Sequence, residues 1–123
     1  MTQQTLWDAY GIPHYPLPLK IEDRRHLFDE WMRRNPLLVE QMEGWALMLD
    51  ARHGYVSVDY IFNKARFEGD YAPVPVPFED DSGKPHDYRL NNNDRSLFGR
   101  HLLEKYPRMS VKVRRSMFDG EGE

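Results

Sequence analysis

A chain of 123 residues, 40% hydrophobic and 30% charged, is long enough for one core and too apolar for a disordered segment. The absence of cysteine excludes a disulfide scaffold, a Cys-ligated zinc site and a thiol nucleophile, and it suits a reducing compartment. No apolar run reaches the roughly 20 residues needed to span a bilayer. The first residues lack the basic start and apolar middle of a signal peptide, so a cytoplasmic location with no membrane partner is expected.

The net charge of −3 hides an uneven distribution. Residues 1–90 carry 10 Lys/Arg against 15 Asp/Glu, whereas residues 91–118 carry 7 against 2. A basic end on an acidic body points to a polyanionic partner. A solvated helix and strand that happen to be basic would give the same count.

In chain order, residues 1–20 hold Gly11, Pro13, Pro16 and Pro18 and are predicted to form an extended, non-helical arm. Its Trp7, Tyr10, Tyr15 and Leu17 need cover, so the arm is expected to lie on the core. A first helix is predicted from Glu22 to Arg34, with Leu27, Phe28, Trp31 and Met32 on one face. Asn35-Pro36 ends it and starts a second helix to about Arg52, striped by Leu38, Met42, Trp45 and Leu49 and closed by Gly54. Tyr55 and Val56 could form a two-residue strand. A third helix follows from Ser57, burying Val58, Ile61, Phe62 and Ala65. Residues 69–87 alternate Pro73, Pro75 and Pro77 with valines and contain the turn Glu79-Asp80-Asp81-Ser82-Gly83, which reads as an irregular acidic insertion. A fourth helix is capped within Asn91–Asp94 and buries Leu97, Phe98, Leu102 and Leu103, leaving Arg95, Ser96, Gly99 and Arg100 outward. Residues 109–118 alternate as a strand, and residues 119–123 form a tail. The expected fold is mainly α with a small β element (α+β), a single winged helix-turn-helix-like domain over residues 21–118.

Catalytic signals are weak. The five histidines share no metal-ligand spacing, and Asp80, Asp81 and Lys84 lie in a turn instead of on a rigid scaffold. No nucleophile elbow, glycine-rich phosphate loop or H-E-x-x-H occurs. No enzyme activity, metal or cofactor is therefore expected.

Binding signals concentrate in residues 90–115. Three asparagines open a helix whose first turn offers backbone N–H groups and a positive dipole end, and Asn side chains can read an adenine edge. Arg95, Arg100 and Lys105 on the helix and Lys112, Arg114 and Arg115 on the strand would contact phosphates, with Asn91, Asn92 and Asn93 at the helix mouth. Three helices, then a helix and a basic strand, is the order of a winged helix. Asparagines at a helix start also serve simply as caps, and the insertion is longer than a helix-turn-helix turn.

Phe28-Asp29-Glu30-Trp31-Met32-Arg33-Arg34-Asn35-Pro36, Tyr88-Arg89-Leu90-Asn91-Asn92-Asn93 and the helix from Leu97 to Pro107 carry a resemblance over residues 27–118. The chain resembles a family of small uncharacterised bacterial and phage proteins in which an F..F...NP pattern, an F.LNN pattern and an R..M...P helix recur in this order. The resemblance implies a winged-helix-like fold, a phage or mobile-element origin and DNA binding, with no mechanism attached. The arm and the insertion are larger here, and Leu103 stands where the family has methionine.

The leading expectation is a non-enzymatic DNA-binding protein. The alternative is a protein–protein inhibitor or adaptor that uses an acidic surface against a host nucleic-acid-processing protein, in an anti-CRISPR-like manner. For that reading the contact residues are Tyr71, Phe78, Glu79, Asp80 and Asp81, within a stretch over 67–88 of six acids and one lysine.

Overall fold

The computed structural model of the chain describes residues 6–113. They form a mainly helical α+β structure of five α-helices and two small two-stranded sheets. No helix among them is long and apolar enough to cross a membrane. Two compact units alternate along the sequence, the first from residues up to 34 and 74–89, the second from residues 35–73 and 90 onward.

In the first unit, the arm is not wholly extended. Helix α1, Leu6–Tyr10, makes one short turn. Gly11 ends it at φ 82, its N–H donating to the Trp7 carbonyl at 3.2 Å. The glycine and prolines that argued against helix lie just after it, and they terminate α1 without reaching into it. Helix α2, Ile21–Arg34, has Glu22 and Asp23 in its first turn and Arg33 and Arg34 in its last, matching the helix dipole. Its buried face is Leu27, Phe28 and Trp31.

That face packs on a hairpin where an irregular insertion was expected. Strands β2, Val76–Glu79, and β3, Pro85–Tyr88, pair antiparallel with Val76 opposite Tyr88 and Phe78 opposite His86. Val76, Phe78 and Tyr88 are buried. Pro75 and Pro77 obscured the alternation in the sequence, but a two-stranded hairpin tolerates the lost N–H donor. The arm runs beside β2: Tyr15 donates its N–H to the Glu79 carbonyl at 2.8 Å, and Glu79 donates to the Pro13 carbonyl at 3.0 Å. The indole of Trp7 donates to the Pro77 carbonyl at 2.7 Å.

In the second unit, helix α3, Pro36–His53, starts with Pro36 in its first turn and stops at Gly54, which adopts φ 75. Asn35 precedes it without a side-chain capping bond. The buried face is Leu38, Val39, Met42 and Ala46, whereas Trp45 and Leu49 are half-buried. Strand β1, Val56–Ser57, leads directly into helix α4, Val58–Glu68, where the Ser57 hydroxyl accepts the Tyr60 N–H at 3.2 Å. Val58, Ile61 and Phe62 are buried as the pattern predicted.

A 3₁₀ turn over Asn92–Asp94 opens helix α5, Arg95–Lys105. Strand β4, Val111–Lys112, then pairs parallel with β1, Val56 opposite Val111. Met109 is buried and Lys112 exposed, in keeping with the predicted alternation, whose remainder over 114–118 lies outside the described residues.

The orientation of α5 differs from expectation. Arg95, Phe98, Gly99 and Leu102 are its buried positions, spaced i, i+3, i+4, i+7, and Leu103 is 42% exposed. Gly99 permits this. A Cβ there would lie 2.7 Å from Val113 Cγ2, so the missing side chain lets the residues around β4 approach α5.

Candidate nucleic-acid interface

Residues 90–115 were expected to present a row of cations, and among the described residues the structure disperses them. Asn91 is a cap: its side chain accepts the Asn93 N–H at 2.9 Å, while the fully buried Asp94 accepts the Asn91 N–H at 3.1 Å. Asn92 and Asn93 are exposed. Arg95, expected to point outward, is 8% exposed, and its Nη1 lies 3.0 Å from Asp59 Oδ1 on α4. Its place in the buried spacing of α5 dictates this, since a guanidinium turned inward needs a carboxylate.

Lys105 also meets an acid. Its ammonium is 2.8 Å from Glu43 Oε1, and His101 Nε2 is 2.6 Å from Glu43 Oε2. Burial alone would raise the Glu43 pKa. Hydrogen bonds from Lys105 and His101, with their charge, outweigh it and hold the carboxyl below its ordinary value. Arg100 remains exposed, and Lys112 is exposed with its ammonium 4.3 Å from the centroid of the Tyr55 ring. Arg114 and Arg115 lie outside the described residues.

The acidic alternative is also thinned by its own fold. Phe78 is 4% exposed. Asp80 organises the β2–β3 turn, its Oδ1 accepting the N–H groups of Ser82 at 2.9 Å and Lys84 at 3.0 Å and the Ser82 hydroxyl at 2.6 Å. His86 Nε2 is 2.9 Å from its other oxygen. The Ser82 and His86 hydrogen bonds hold the Asp80 carboxyl far below the usual carboxylate range. Glu79 pairs with His14 at 2.7 Å. Asp81 is exposed, and Tyr71, in the other unit, is 42% exposed.

A different arrangement emerges in the second unit, where α3 ends, β1 begins and α4 starts. A cleft of about 360 Å³ is lined there by Arg52, His53, Tyr55 and Tyr60, with Met48, Leu49 and Ser57. Arg52 and His53 are exposed, and Tyr55 and Tyr60 remain 42% and 47% exposed. The His53 and Tyr55 rings lie 6.2 Å apart. Lys112 stands over Tyr55, while Lys64 lies 6.0 Å from the Tyr60 ring and 5.3 Å from that of Trp45. Among the described residues, no acidic side chain lines it.

Sequence reasoning missed this cleft because it sought cations along one helix and one strand. The available signal was the interleaving of Arg52, His53, Tyr55 and Tyr60 across a helix end, a strand and the next helix start. Among the described residues no three His, Asp or Glu side chains form a group able to hold a metal.

Compared with family models, with curated proteins and with solved structures, the chain matches none.

Proposed function

We propose that the chain is a non-enzymatic nucleic-acid-binding protein of phage or mobile-element origin. The observation that carries this reading is the cleft at the end of α3, where exposed Arg52, His53, Tyr55 and Tyr60 converge and Lys112 covers one of the rings. Cations meet phosphates and aromatic rings meet bases, and a cleft whose described lining offers both and no carboxylate favours a polyanion with planar groups.

A winged-helix-like arrangement is part of the proposal. The second unit runs helix α3, strand β1, helix α4, helix α5, strand β4, an order shared with winged helices. The hairpin placed between α4 and α5 in sequence, and the parallel pairing of β1 with β4, are departures from that pattern. The inhibitor reading takes second place, because Phe78 and Asp80 serve the hairpin itself.

Fluorescence anisotropy with labelled oligonucleotides, duplex and single-stranded, tests the function. Binding at 50 mM salt that weakens at 200 mM is the expected result. Absence of binding to either form at low salt overturns the proposal.

A further inference from the structure

We propose that the α3–β1–α4 cleft receives an unpaired nucleobase, which makes single-stranded nucleic acid the preferred ligand. This rests on the nucleic-acid reading above and specifies its site and substrate class.

Three observations lead to it. First, the cleft is concave and of about 360 Å³, within the lower part of the range, roughly 300–1,000 Å³, that small-molecule sites occupy. Bases stacked inside a duplex present only their edges and cannot enter such a space, whereas an unstacked base offers a whole face. Second, the polar lining suits stacking and charge more than edge reading. Tyr55 and Tyr60 supply rings, Arg52 supplies a guanidinium, and among the described residues no Asn or Gln lines the cleft. Third, three of the residues placed by sequence to read a groove are engaged within the fold, while Asn92, Asn93 and Arg100 stay exposed. Asn91 caps its own helix turn, Arg95 is buried against Asp59, and Lys105 is held by Glu43. A recognition helix entering a major groove would need those groups without such internal partners.

In the proposed complex, the base stacks against Tyr60 or against the face of Tyr55 opposite Lys112, and the phosphates on either side meet Arg52 and Lys112. The ammonium already over the Tyr55 ring fixes that ring's position beforehand.

The test is anisotropy with a labelled 20-mer of thymidylates and with a labelled duplex of equal length, on the full chain. The single strand should bind about tenfold or more tightly than the duplex. Tyr55→Ala and Tyr60→Ala should each weaken single-strand binding by about tenfold, in line with the loss of one stacked base, and so narrow the single-strand-to-duplex affinity ratio. Tyr60→Phe should retain wild-type affinity, because stacking needs the ring and not the hydroxyl. Both tyrosines are substantially exposed, so these variants should keep the wild-type urea midpoint, and the single-strand-to-duplex ratio of the unmodified chain tests the idea without any variant. Equal affinity for both forms, or tyrosine variants that bind the single strand as wild type does, would overturn the pocket while leaving nucleic-acid binding intact. Failure to bind either form would overturn the function together with the pocket.

Discussion

Glu43 is the side chain on which the second unit's electrostatics turn. It sits on α3 with 8% of its side chain exposed and receives both His101 and Lys105 from α5. Its carboxyl is held below the ordinary value of 4.5 although burial by itself would raise it. A depressed folded-state pKa means that the pair's contribution is fully present above the unfolded value and is lost as pH falls through the lower, folded value. Glu43→Gln is therefore expected to lower stability at pH 7 by about 1–2 kcal/mol, as hydrogen bonds to a charged group are lost. The urea midpoint should also fall less steeply in the variant than in wild type between pH 5 and pH 3, a range of about two units that spans the ordinary carboxylate value. Parallel pH profiles would show that Glu43 does not carry the acid sensitivity. Arg95 makes a complementary case, because its surface role was expected and its buried role observed. Arg95→Gln should destabilise the fold by about 2 kcal/mol by leaving Asp59 without its guanidinium, measured by the same urea titration.

At the scale of elements, the joints were written locally and the pairings were not. Gly99→Ala is predicted to destabilise α5 against the residues around β4 by about 1–3 kcal/mol, since Val113 is β-branched and a new methyl 2.7 Å from its Cγ2 forces a shift. Combining it with Val113→Ala should recover part of that loss, and thermal melts of both variants would check it. Asn35-Pro36, Gly54 and Ser57 each act on their own backbone, so the boundaries of α2, α3 and α4 could be read from them. The β2–β3 hairpin could not, because its partners are set by pairing across the Asp80 turn and its valines alternate with prolines. Neither could the face of α5. Hydrophobicity favoured Leu103, but the buried positions include a glycine chosen for close approach and an arginine whose carboxylate lies 36 residues earlier in the chain. The cleft was hidden for the same reason: Arg52 and Tyr60 belong to different helices and meet only when β1 turns the chain between them.

At the scale of the whole molecule, the question is which of the 17 Lys and Arg residues a polyanion can use. A count along residues 91–118 gives seven, and if all met phosphates of a single strand the salt slope would be steep, about −5. The structure separates the described ones among those cations by their surroundings. Arg95 and Lys105 face carboxylates, whereas Lys112 lies over the Tyr55 ring and Arg52, from outside the counted stretch, lines a cleft with no acid among its described residues. An ammonium already neutralised by Glu43 has few condensed counterions to displace from a nucleic acid, because the phosphate must first compete with the carboxylate. Arg52→Gln and Lys112→Gln should therefore each reduce the slope of log affinity against log salt by about 0.7, and the double variant by about twice that. Lys105→Gln should leave the slope unchanged, even though it removes the same formal charge. Anisotropy titrations of these variants at four salt concentrations between 50 and 300 mM decide the matter. Equal reductions for Lys105 and Lys112 would mean that binding reads overall charge and not the cleft, and the assignment of the interface to the α3–β1–α4 surface would fall.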